Sequence, residues 1–244
     1  MRIQIVRIIM TKELKEYMRH AGNKFMIIAF PLFTVILYLC IILFREPEDI
    51  SLYVKSASGF YYVLILLGFI SVYAISSSLA TESFLGESDR KTLELLFATP
   101  ISDLEILVGK ASASILPGLI SSYSIIILKT VATLFLLKFY KSTVPIDYTK
   151  IFFLMLMIFL LSLLLCGLLS LLSSHFSSRN FVNGLSIVIL LPLLGLIIGM
   201  YVRIFNSTLF STITTAGLLL LSVVTFYFDA KSFKRDKILT NLRK

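Results

Sequence analysis

The sequence has no tryptophan, two cysteines, two histidines and a charged fraction of only 15%. Each scarcity excludes something. Cys40 and Cys166 sit inside apolar runs, where a thiol acts as a small hydrophobe rather than half of a disulfide or a metal ligand. His20 and His175 are too isolated to anchor a metal site. A soluble domain carries roughly 25% charge. This chain is 57% hydrophobic and cannot hide that much apolar surface in a water-soluble fold. No stretch matches G-x-x-x-x-G-K-[ST], whose backbone cradles nucleotide phosphates: Gly109-Lys110 is followed by Ala111, and Leu104 stands where the first glycine belongs. No catalytic, cofactor-binding or metal-ligating residue is expected in this chain. It is expected not to be an enzyme.

What is present is organised by runs. Six apolar stretches cover 25–44, 60–80, 111–137, 151–172, 184–202 and 209–228. Each is close to or above the ~20 residues that a spanning helix needs. Tyrosine and phenylalanine cluster at their ends, where aromatic belts form. Pro31, Pro117 and Pro192 fall inside runs, which membrane helices tolerate because neighbours satisfy the freed carbonyls. Residues 1–24 differ in kind. Ile3, Val6, Met10, Leu14, Tyr17 and Ala21 recur at spacings of three and four, with Lys12, Lys15, Glu16 and Arg19 off that stripe. The pattern predicts an amphipathic helix lying in the membrane interface, ended by Gly22 and Asn23.

The net charge of +9 could suggest nucleic acid, but the bases flank apolar runs, which is the signature of membrane orientation and of attraction to anionic lipid. Segments 1–24, 81–110, 173–183 and 229–244 hold sixteen lysines and arginines; the alternate loops hold six. The rule that cytoplasmic loops are basic puts both termini in the cytoplasm. The expected fold is all-α and integral to the membrane, a single transmembrane domain in five parts. These are an interfacial helix at 1–24, spans one and two within 25–80, a cytoplasmic segment at 81–110, spans three to six within 111–228, and a basic tail at 229–244.

The segment 81–110 is the only sizeable cytoplasmic feature. Glu82 to Lys91 is densely charged and is expected to face water. Thr92 to Thr99 reads as a short helix with Leu93, Leu96 and Phe97 on one face, ended by Pro100. Ser102-Asp-Leu-Glu105 is a capping box that opens a new helix. A short helix with an apolar face and charged flanks suits docking onto a partner; the plainer reading is an interfacial helix that closes the loop.

The run Glu87-x-Asp-Arg90-x-Thr92-Leu93-Glu94-x-Leu96 followed by Thr99-Pro100-Ile101-Ser102-x-x-Glu105-Ile-Leu-x-Gly109-Lys110 resembles the cytoplasmic signature of type-2 ABC transporter permeases. These include the sodium-export permeases and the permease of nitrous oxide reductase maturation. Lys91 departs from the glycine common there. The resemblance implies that 1–24 is an elbow helix and that the loop is a coupling helix seated on a separate cytoplasmic ABC ATPase, which would carry the ATP and Mg. Glu87, Arg90, Thr92, Leu93, Glu94, Leu96, Phe97 and Pro100 would be the docking residues. A second permease copy, identical or merely similar, is implied as well, with Gly195 and Gly199 of a G-x-x-x-G face in span five as candidate dimer contacts. Membrane lipid is the remaining expected partner, and nucleic acid is not one.

Lys129 is the single lysine or arginine inside a run. It is either a pathway residue for an anionic or lipid-like substrate, or it snorkels to the outer headgroups. A secondary transporter would need ionisable groups at mid-membrane, and no carboxylate is expected in a span. An ATP-driven subunit acting mechanically on an extracytoplasmic partner is the other alternative. The localisation expected is the plasma membrane.

Overall fold

The computed structural model describes residues 2–19, 21–43, 57–89, 101–139, 148–176, 178, 180–188, 191, 195 and 208–232. Every regular element among them is helical. In chain order they are α1 (Ile3–Arg19), α2 (Ala21–Leu43), α3 (Ala57–Asp89), α4 (Asp103–Phe139), α5 (Tyr148–His175) and α6 (Thr208–Ser232). Residues 180–188 are also helical.

Among the described residues, four helices are long and apolar enough to cross a membrane, over Gly22–Cys40, Asp103–Leu136, Tyr148–Ser173 and Thr212–Lys231. They contain four of the six expected runs. A fifth run, 60–80, lies within α3, and most of 184–202 lies outside the described residues. Pro31 and Pro117 are accommodated inside α2 and α4. Near the first of these, the Thr34 hydroxyl donates to the Pro31 carbonyl at 2.8 Å.

The centre of the bundle is α4, which packs on α1, α2, α3 and α5; the α3–α4 and α5–α6 contacts are the most extensive. Leu64, Ile106, Leu107, Ile126, Leu154, Leu165 and their neighbours form one apolar cluster between these helices. Lipid tails are as apolar as leucine, so the hold here is close packing rather than escape from water. Small residues permit that closeness. A Cβ at Gly118 of α4 would run into the Ser76 hydroxyl of α3. By contrast, the outer faces of α2 and α6 expose large side chains such as Phe25, Phe33, Ile36, Leu220 and Val223, as a lipid-facing helix does.

Two expectations are corrected. Gly22 and Asn23 do not break the chain after α1. They form the first turn of α2, and the Asn23 amide donates to the Tyr17 carbonyl at 2.9 Å, satisfying the end of α1. Nor does the stretch from Glu82 all face water: α3 continues to Asp89, and Ser83, Phe84 and Leu85 are buried. Phe84 and Leu85 interrupt the charges often enough to keep one face of that extension on α4.

Candidate functional site

Helix α4 has 37 residues, hence a length of about 55 Å. The hydrocarbon core is ~30 Å thick. Its first turns, which carry Asp103, Glu105 and Lys110, pack beside the last turns of α3. These two helix ends frame residues 90–100. Of the expected docking residues, Glu87 continues α3, with its side chain outside the described residues; Arg90, Thr92, Leu93, Glu94, Leu96, Phe97 and Pro100 lie outside them entirely. The frame itself is described, and it is built from charge.

Its first part is the start of α4. Ser102 is the N-cap: the Glu105 N–H donates to Ser102 Oγ at 3.3 Å, and the Ser102 N–H donates to Glu105 Oε2 at 3.2 Å. The capping box read from the sequence is thus formed. The same carboxylate reaches further. It accepts the Arg2 backbone N–H at 2.6 Å and the Arg2 guanidinium at 3.4 Å. Glu105 belongs to the polar first turn, ahead of the apolar stretch that starts at Ala111. One side chain therefore both opens α4 and ties α1 to it.

The second part is the crossing of α1 over α4. A Cβ at Gly109 would stand 2.9 Å from Cβ and Cγ2 of Ile9. Only glycine lets the two backbones come this close. The side of α1 that packs inward carries Ile9, Glu13 and Tyr17, all buried, whereas Ile3 of the expected apolar stripe stays exposed.

The third part is a buried cation. Lys110 is 1% exposed. Its ammonium donates to the Ser83 carbonyl of α3, lies 3.8 Å from Oε1 of Glu13 on α1, and stands 5.7 Å above the Phe84 ring. Lys12 approaches the same Glu13 oxygen at 3.8 Å. A charge removed from water needs partners of this kind. Lys110 joins three helices where the end of α3 meets the start of α4. Deeper in, the Ser114 hydroxyl and Cys166 Sγ are 3.1 Å apart across α4 and α5, and Ser170 of α5 donates to Asp229 of α6 at 2.8 Å.

A family model described as ABC-2 family transporter protein matches residues 7–225. The chain belongs to this family. It is thereby a membrane subunit of an ABC transporter, and family membership implies an ABC ATPase as partner and a dimeric permease. No curated protein gives a significant match to the sequence.

Within this ABC-2 family protein the remaining candidates are dispersed. Lys129 lies nineteen residues beyond Lys110 on α4 and does not reach the surface. It is 1% exposed, with its ammonium 4.9 Å from the centre of the Tyr38 ring. The snorkelling reading is therefore corrected: α2 packs over that part of α4, and Tyr38, anchored through its hydroxyl to Thr133 at 2.9 Å, covers the lysine. Gly195 is exposed, with nothing within 4 Å of where its Cβ would be; Gly199 lies outside the described residues.

Sequence reading missed Glu13, Lys110 and Asp229. Each was assigned to a polar flank by its position in the chain, and each is buried. Asp229 also corrects the expectation that no carboxylate falls in a span: the candidate span Thr212–Lys231 includes it, because α6 runs on to Ser232 and buries it against Ser170. One signal was available. Lys110 immediately follows a glycine and precedes an apolar run, so a close crossing there would have to enclose it.

Proposed function

We propose that this chain is the permease subunit of an ATP-binding cassette exporter. In this reading an interfacial elbow helix, α1, precedes six spans, both termini are cytoplasmic, and the protein resides in the plasma membrane. It works as a homodimer or beside a similar chain. A separate cytoplasmic ATPase binds and hydrolyses ATP with Mg; this chain carries no catalytic residue and no cofactor. The observation that carries the reading is the family match across 7–225. The absence of a phosphate loop from the sequence agrees with it.

The framework suggests how force would travel. The segment 90–100 acts as the coupling helix, with Leu93, Leu96 and Phe97 in a groove of the ATPase and Glu87, Arg90, Glu94, Thr92 and Pro100 around them. A push there loads the ends of α3 and α4 together, since Lys110 binds the Ser83 carbonyl. Through Glu105 and Glu13 it moves α1 as well. Helix α4 is continuous from Asp103 to Phe139 and transmits the displacement to its outer end. Paired bundles would then rock between inward- and outward-open states as two packed arrangements.

Central apolar anchors dominate such contacts and rim charges add less. Leu96→Asp with Phe97→Asp is expected to abolish co-purification with the ATPase and transport-linked ATP hydrolysis, while membrane insertion stays normal. Wild-type ATPase binding and transport by a correctly inserted double variant would refute the coupling assignment.

A further inference from the structure

The sequence places an amphipathic helix in the interface, and the structure packs one side of it, through Ile9, Glu13 and Tyr17, against the bundle. What α1 presents outward is therefore its other face. Arg7, Lys12, Lys15 and Arg19 are all exposed on it. An open groove of about 620 Å³ has Arg7, Ile8, Thr11, Lys12 and Lys15 in its wall. Glu13 is turned into the bundle, where Lys12 and Lys110 share it, and Glu16 is half-buried, so the four bases outnumber the two acids of the helix. Ile8 is 67% exposed in the midst of the bases.

We propose that this outward face of α1 binds the headgroups of anionic phospholipids. Three observations lead to that occupant. The face is cationic, and phosphate-bearing lipid is its complement. Helix α1 ends at Arg19 and a candidate span begins at Gly22, so the chain itself holds α1 against the membrane surface. Ile8 puts an apolar side chain between the bases, which suits the boundary between headgroups and acyl chains and has no purpose in a purely ionic contact.

The site is also one side chain away from the base of the coupling segment. Lys12 stands 3.8 Å from Glu13 Oε1, and Lys110 approaches that same oxygen at 3.8 Å. A headgroup phosphate that takes Lys12 competes with Glu13 for it, and leaves Glu13 more fully to Lys110. Anionic lipid would thereby tighten α1 onto α3 and α4. The binding step needs only the position of α1 and is independent of the ATPase reading.

The test uses the full-length chain purified in detergent and titrated with phosphatidylglycerol or phosphatidylcholine, with retained lipid read by native mass spectrometry. Wild type is expected to retain phosphatidylglycerol in preference. The triple variant Arg7→Gln, Lys12→Gln, Lys15→Gln is expected to lose that preference, at roughly fivefold per base removed. The charge-conserving variant Arg7→Lys, Lys12→Arg, Lys15→Arg should keep it, and so should Lys138→Gln with Lys150→Gln at the far ends of α4 and α5. Undiminished preference in the glutamine triple overturns the proposal, as does loss of preference in the charge-conserving variant. A triple that holds the lipid normally but no longer binds the ATPase assigns the face to that protein and overturns the proposal too.

Discussion

Lys110 and Lys129 lie nineteen residues apart on one helix, and both are 1% exposed. Their surroundings differ. Lys110 meets a carboxylate from α1, a carbonyl from α3 and a phenylalanine ring. Lys129 meets the face of Tyr38, and among the described residues no carboxylate comes within ion-pair distance of it. A cation over a ring recovers about 2 kcal/mol when desolvated. Placing a lysine at the centre of a membrane helix costs about 2.5–3.5 kcal/mol. The start of α4 thus compensates its buried charge and the stretch around Lys129 does so incompletely. Charge at the base belongs to the framework.

The largest expected effect tests the compensated end. Lys110→Met leaves Glu13 buried without this lysine, and breaking a buried pair from one side costs about 3–5 kcal/mol. Thermal unfolding of the detergent-purified chain is expected to shift strongly downward. Adding Glu13→Gln should recover most of the loss, because the two positions share one interaction and are not additive. Additive losses in the double variant would show that Lys110 acts mainly through the Ser83 carbonyl.

A smaller effect is expected from the crossing beside it. Gly109→Leu inserts a side chain where Ile9 already stands, and overpacking of this kind costs about 1–3 kcal/mol. Helix α1 should lift from α4, so trypsin should cut at Arg7, Lys12 or Lys15 faster than in wild type. Unchanged cleavage would mean that Arg2 and Glu105 suffice to hold α1.

The smallest effect on stability, and the sharpest contrast, belongs to Lys129. Lys129→Met removes an incompletely compensated charge and keeps the length of the side chain. Thermal stability is expected to stay within about 1 kcal/mol of wild type or to rise. Transport should fall if the lysine meets substrate. A loss of stability as large as that of Lys110→Met would erase the distinction between the two ends.

Composition and periodicity determined a good deal of this protein by themselves. Run length and scarcity of charge announced membrane helices, since the ~20-residue requirement is a property of the bilayer rather than of any tertiary contact. The start of α4 was legible in Ser102 and Glu105 because a capping box closes within four residues. The amphipathic period of α1 was legible too, though not its destination. Periodicity tells which residues share a face, and it is silent about what covers that face. Only the packed bundle decided that Ile9 would seat on Gly109 rather than in lipid. The same holds for the buried charges. Glu13, Lys110 and Asp229 sit in segments whose composition is polar, so their positions in the chain read as solvent-facing. Their burial comes from long-range encounters: α1 with α4, the extended end of α3 with Lys110, and α6 with Ser170. A charge survives away from water only where such partners converge, and that convergence is a property of the tertiary structure.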